Sequence, residues 1–230
     1  MAFDVSPPRD CQACPRLAAF RAENKAVFPD WSNAPVESFG DSSARLLIVG
    51  LAPGLRGANR TGRPFTGDYA GDLLYATLGE FGFATGAYDK RPDDELRLRD
   101  CAIVNAVRCV PPQNKPTPEE MASCRPYLVS TIEALPRLKA IVALGRIAHE
   151  SALRAFGRRL AAHPFAHAAR HVLGPGAPVV FDSYHCSRYN TNTGVLTTAM
   201  FRQIFLMARA FLETSQPASL PGIPAGRHFS

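Results

Sequence analysis

The sequence predicts a single-domain, three-layer α/β/α sandwich around a short, mainly parallel four-stranded sheet. Three observations carry this reading. Four near-continuous apolar runs, rich in β-branched residues, have the character of strands covered on both faces. Stretches with helical periodicity fall between them, as the crossovers of a parallel sheet require. A chain of 230 residues that is 46% hydrophobic and 20% charged can bury such a core without staples.

The four runs are residues 45–51, 101–107, 139–144 and 178–184. After the first, Leu74, Leu78 and Phe81 recur at i, i+4 and i+7. After the second, Thr117 offers an N-cap, Pro118 fills the first helical position, and Glu119 and Glu120 suit the first turn. After the fourth, Leu196, Met200, Ile204, Phe205, Ala208 and Phe211 form one stripe on a long last helix. The expected body is residues 11–213. Residues 1–10 and the Pro/Gly/Ser-rich tail 214–230 lack periodicity and are expected to be loose.

Lys and Arg exceed Asp and Glu by 26 to 20, a net charge of +6, with a pI of about 9.2. That excess suits a polyanionic partner. No apolar run approaches the roughly 18 residues of a membrane span, and the opening residues show no export signal. The expectation is a cytoplasmic protein without a membrane partner, and nothing suggests more than a monomer. In that reducing compartment the six cysteines are ligands, nucleophiles or core residues rather than disulfides.

In a doubly wound sheet the site lies at the carboxyl ends of the strands, so the loops there should be chemically unusual. Residues 50–68 concentrate glycine, supply Arg56, Arg60 and Arg63, and end in Phe65 and Asp68. Glycines let backbone N–H groups approach a phosphate and arginines neutralise it, although an ordinary turn can share this composition. Asn105 is a polar amide inside an apolar strand, matched either to backbone or to the edge of a base. His185 closes the last strand and is followed by hydroxyls, amides and Arg188. It is a candidate acid or electrophile, or a satisfied structural histidine.

Together, Gly50-Leu-Ala-Pro, the segment 57–68 (GANRTGRPFTGD), Asn105-Ala-Val-Arg-Cys109 and the segment 185–194 (HCSRYNTNTG) resemble the uracil-DNA glycosylase superfamily, specifically its family 5. The resemblance runs from Cys11 to the last helix. Two departures are Gly54, where that family usually has Ala, and Cys186, where it often has Pro.

The resemblance implies the uracil-DNA glycosylase fold and hydrolysis of the N-glycosidic bond of uracil in DNA. It also implies activity on other deaminated bases such as hypoxanthine. The target base is flipped out of the stack. Phe65 then stacks on it, Asn105 reads its edge, and Ala52 and Gly54 line its pocket. Arg56, Gly57, Arg60 and Arg188 grip phosphates, with Asn190 at the rim. His185 donates to O2 of the leaving base, and Asp68 positions water and stabilises the oxocarbenium-like sugar.

Cys11 and Cys14 form a C-x2-C pair, with Cys109 and Cys124 further along the chain. Four thiolates from three segments suit either tetrahedral zinc or a cubane cluster. The resemblance, to families 4 and 5 alike, implies a structural [4Fe–4S] cluster on these four residues. Cys101 reads as core. Cys186 is not expected to act as a nucleophile with His185, because neighbours on a strand point to opposite faces and need not touch.

His163, His167 and His171 recur every four residues, but Pro164 interrupts them and no carboxylate lies among them. With Arg158, Arg159 and Arg170 they are expected on a solvated or phosphate-facing surface. Residues 93–99 read as a solvated connection. The rivals to a glycosylase are an iron–sulfur redox or electron-transfer protein and a binder of modified bases that does not cleave.

Overall fold

The structure, a computed structural model, describes residues 6–215. In chain order, α1 (Pro15–Val27) and β1 (Phe39–Gly40) precede the first long strand, β2 (Leu46–Gly50). The glycine-rich loop holds the short α2 (Ala58–Thr61) and leads into α3 (Tyr69–Glu80). A small antiparallel ribbon of β3 (Ala84–Thr85) and β4 (Arg97–Leu98) follows. Then come β5 (Cys101–Asn105), α4 (Pro118–Glu133), β6 (Ala140–Leu144) and α5 (Arg146–Ala155). The chain continues through β7 (Arg170–Val172), β8 (Val179–Ser183), α6 (Arg188–Asn192) and α7 (Thr198–Thr214).

The four predicted strands are present and mutually parallel in the order β5-β2-β6-β8. The sheet has six strands rather than four, because β1 and β7 add antiparallel edges. Runs of two and three residues carry no readable periodicity, so pairing with a neighbour alone defines them as strands. The chain steps from β2 to β5 on one side and then to β6 on the other. That reversal opens a crevice above the carboxyl ends of β2 and its neighbours.

Alternation along each strand feeds two cores. Leu46 and Ile48 face Leu74 and Leu78 of α3 and Phe201, Ile204 and Phe205 of α7. Leu47 and Val49 face Leu128 of α4 and Ala148 and Ala152 of α5. The capping of α4 matches expectation: the Thr117 hydroxyl accepts from the Glu120 N–H while the Glu120 carboxylate accepts from the Thr117 N–H. Arg16 of α1 donates two bonds to Glu120, clamping α1 to the start of α4. The two loose ends read from the sequence fall largely outside the described residues; Thr214 itself closes α7.

One surface expectation is overturned and a second in part: Arg158, Arg159 and Arg170 are exposed as expected, but His171 is buried. Residues 93–99 are not a solvated connection, since Asp94, Leu96 and Leu98 are buried. Burial works against the Asp94 charge, but two bonds from the Arg63 guanidinium hold its carboxyl down at about 2. Arg63 is therefore committed to Asp94 and unavailable to a phosphate. The three histidines share no helical face: His163 follows a 3-10 turn, and His171 lies buried on β7. His171 and His149 both bond the buried carboxylate of Asp182, at 2.8 and 2.7 Å, while the second nitrogen of His149 meets the His163 carbonyl at 2.9 Å. His167 accepts from the Tyr184 N–H at 3.1 Å. The carboxylate missing from the local sequence comes from β8, a different element.

Candidate active site

A cavity of about 360 Å³ opens above the strand ends, where Phe65, Asp68, Asn105 and His185 meet. Ala52 and Gly54 also line it, and so do Tyr69, Asn114 and Ser187, which the sequence reading did not single out. The base of the cavity is built by register. Asn105 ends β5 directly beside Gly50 at the end of β2. A Cβ at Gly50 would stand 2.4 Å from the Asn105 amide oxygen and 2.7 Å from the Phe65 ring. Glycine is what allows both to close over that strand end. The Asn105 amide oxygen is buried without a hydrogen-bond partner. Leaving it so costs about 1–3 kcal/mol, which a ligand donor would recover.

Phe65 is held in a conformation that side chains avoid, with φ of +52°. Such a residue costs about 1–3 kcal/mol and persists only where its surroundings over-determine it. Here they do. The Tyr75 hydroxyl donates to the Pro64 carbonyl at 2.5 Å and the Tyr88 hydroxyl to the Phe65 carbonyl at 3.1 Å. The Arg63–Asp94 pair anchors the same corner. None of these supports has a local sequence signature, because each partner comes from a distant turn of chain.

Asp68 is the N-cap of α3, its Oδ1 accepting the Gly71 N–H at 3.0 Å. Burial lifts its carboxyl above the ordinary carboxylate range, against the pull of that N–H. Its Oδ2 lies against the Gly54–Gly57 turn. A Cβ on Gly57 would sit 2.6 Å from that oxygen, whereas one on Gly54 would reach only 3.5 Å, an ordinary contact. Gly57→Ala is therefore expected to displace Asp68 and lower single-turnover base excision by up to about 10²-fold. Gly54→Ala should leave the rate near that of the parent. Equal rates for the two variants would overturn this account of the turn.

His185 stands nearly parallel to Phe65, ring centroids 6.1 Å apart and planes 29° from parallel. Burial pushes its imidazole down to about 4, so the ring is neutral at physiological pH. Asn190 is not a free rim group: its amide donates to the His185 carbonyl at 2.8 Å and braces that loop. Cys186 is fully buried with its sulfur toward the Ala70 carbonyl, and burial holds the thiol far above its usual range. It is core, as is Cys101.

Of the expected phosphate contacts, Arg56, Arg60 and Arg188 are exposed, and Arg188 lines the cavity mouth with its guanidinium 5.2 Å over the Tyr69 ring. Gly57 is buried and its N–H is spent on the Gly54 carbonyl at 3.2 Å, so it offers no free donor to a phosphate.

Cys11, Cys14, Cys109 and Cys124 line a second, small cavity between α1, α4 and the loop after β5. The Arg108 backbone N–H donates to the Cys124 sulfur at 3.3 Å, and Arg21 donates to the Cys109 sulfur at 3.2 Å. Burial pushes the Cys109 thiol up to about 12 and raises Cys14 and Cys124 as well. A bound metal centre would supply the positive charge that their thiolates lack. Among the described residues, no three of these sulfurs lie within 4.8 Å of one another. A tetrahedral zinc site with 2.3 Å bonds would bring them to about 3.8 Å.

No helix is long and apolar enough to cross a membrane, among the described residues. The family model described as the uracil DNA glycosylase superfamily matches residues 37–209. The chain is 48% identical over 205 residues to a type-5 uracil-DNA glycosylase of Thermus thermophilus, covering 86% of this chain and 92% of that one. A type-5 uracil-DNA glycosylase of Pyrobaculum aerophilum is 38% identical over 205 residues, covering 87% and 88%. One of Mycobacterium tuberculosis is 41% identical over 208 residues, covering 86% and 77%. A matched span that takes in every strand of the parallel sheet, and the cavity at its ends, identifies this chain as a member of the uracil-DNA glycosylase superfamily, alongside its type-5 enzymes.

Proposed function

We propose that this chain is a DNA-repair hydrolase that excises uracil from DNA after flipping the base into the cavity above β2 and β5. The observation that carries this reading is the unpaired, buried amide oxygen of Asn105 in a cavity shared with Phe65, Asp68 and His185. Uracil's N3–H would donate to that oxygen and its O4 would accept from the same amide, relieving the unmet bond. The face of Phe65 stacks on the flipped base. As the glycosidic bond stretches, negative charge grows on the base and positive charge on the sugar. The neutral His185 ring donates to O2 of the departing base without first losing a charge of its own. Asp68 holds its negative oxygen near the sugar and orients water. Arg56, Arg60 and Arg188 hold the phosphates that flank the flipped nucleotide.

Hypoxanthine presents N1–H beside O6, the same donor–acceptor order as uracil's N3–H and O4. Asn105 would read both, so excision of hypoxanthine belongs to the same proposal. The four cysteines hold a [4Fe–4S] cluster in this reading: no three of their sulfurs gather as closely as a single tetrahedral ion requires, and soft thiolates suit iron–sulfur cores. The cluster ties the N-terminal segment to the sheet. We also place the working enzyme in the cytoplasm, as a monomer with residues 11–213 as its one domain.

The test is direct. Purified protein is incubated with oligonucleotides carrying one uracil or one hypoxanthine and then heated in alkali, which cuts the strand where a base has been lost. Cleavage at both lesions is expected. Intact uracil strands, from protein carrying its metal centre, would overturn the proposal; intact hypoxanthine strands alone would restrict it to uracil.

A further inference from the structure

Among the described residues three arginines are buried, and only one of them has a carboxylate. Arg63 has Asp94. Arg108 is fully buried, yet its guanidinium donates only to neutral groups, the Val36 carbonyl at 3.2 Å and the Thr131 hydroxyl at 2.7 Å. Its Nε is buried without a partner. Arg21 is 5% exposed and donates to the Cys109 sulfur at 3.2 Å and the Cys11 carbonyl at 2.7 Å. Among the described residues neither forms an ion pair with a carboxylate.

A buried cation without a counter-charge is among the most costly groups a fold can carry. The groups that could balance Arg108 are Cys124, Cys109 and the exposed Glu37, which lies outside ion-pair distance. As thiols the sulfurs are neutral and balance nothing. As thiolates around a doubly positive core, the four sulfurs leave two negative charges, the number the two guanidiniums match.

We propose that Arg21 and Arg108 are built-in counter-ions of the cysteine-held cluster, positioning residues that neutralise its thiolate charge and set its reduction potential. The proposal rests on the cluster reading above. Arg21 acts by direct N–H···S donation and Arg108 through its field and its backbone N–H to Cys124. Both routes favour the state with more electrons, because hydrogen bonds to sulfur and nearby positive charge stabilise added negative charge.

The experiment compares the anaerobically purified parent with Arg21→Met, Arg108→Met, Arg21→Lys and Arg108→Lys. Iron and acid-labile sulfide are measured first in the parent. Their absence would overturn the cluster reading itself, before any variant is considered. With the cluster present, the midpoint potential and the lifetime of its visible absorption in air are recorded for each protein. Each Met variant is expected to move to a more negative potential and to bleach severalfold faster, the more so for Arg21, while the Lys variants stay close to the parent. A residue that only fills space would leave the potential unmoved. Unchanged potentials in the Met variants, or Lys variants that behave like Met, would overturn the counter-ion role. Should Arg108→Met fail to fold, Arg108→Gln, which removes the charge but keeps an amide donor, takes its place with the same expected shift.

Discussion

Asp68→Asn is expected to lower single-turnover excision of uracil by about 10²–10³, the scale of losing one preorganised electrostatic group, while raising the melting temperature at neutral pH. Asparagine caps a helix as well as aspartate does, so the bond to the Gly71 N–H survives. Only the charge is lost. Burial raises the Asp68 carboxyl above its unfolded value of 3.8, so the folded state prefers the protonated form. Its favourable contribution to stability is complete below that unfolded value and is lost as pH rises through the raised folded one. At pH 7 the protein therefore carries a carboxylate that its fold disfavours, and the neutral amide removes that burden. In the parent, the acid limb of the rate should lie above the ordinary carboxylate range and should vanish in the variant. Asp68→Ala separates the two roles, since it also sacrifices the cap at about 1 kcal/mol. A variant that excises uracil at the parental rate would move the charge stabilisation away from Asp68.

His185→Ala is expected to cost about 10²–10³ in the same assay, the usual price of removing an oxyanion-type donor. Binding to uracil-containing DNA should change far less, because the bond to O2 strengthens mainly as the base departs. With its imidazole held at about 4 by burial, His185 does not titrate between pH 6 and 8, and no rate limb should appear there on its account. The stability consequence runs opposite to that of Asp68. A histidine whose folded pKa lies below its unfolded 6.5 stabilises the fold fully above 6.5, and that contribution fades as pH falls toward 4. His185→Ala should therefore flatten the acid loss of melting temperature across that window. A histidine-dependent limb near neutrality would mean that the ring is protonated in the working enzyme.

The four parallel strands and their helices were legible because each announces itself locally. Val, Ile and Leu runs of five residues read as strands without help from neighbours, and Thr117 with Glu120 marks the start of α4 as plainly in sequence as in structure. Asn105 stands out as a polar amide inside an apolar run and His185 as the residue that closes another, and the fold brings both to one cavity. Arg63 and Gly57 misled for a shared reason. Composition shows that a loop holds a cation or an N–H but not whether Asp94 or the Gly54 carbonyl has already claimed it. Asn190 likewise turned out to brace the His185 backbone.

What the sequence determined by itself was the set of elements and their chemistry: apolar runs of strand length, helix caps, and loops carrying glycine, amide, carboxylate and imidazole at the strand ends. Those signals act over a few residues, where propensity and periodicity are decided. Only the tertiary structure decided which groups are spent and which are free. The edge strands β1 and β7, the pinning of Phe65 by Tyr75 and Tyr88, and the joining of His149, His171 and Asp182 all depend on distant chain segments meeting. So does the isolation of Arg108. Burial and hydrogen-bond partnership are properties of the folded neighbourhood, and no local pattern of residues encodes them.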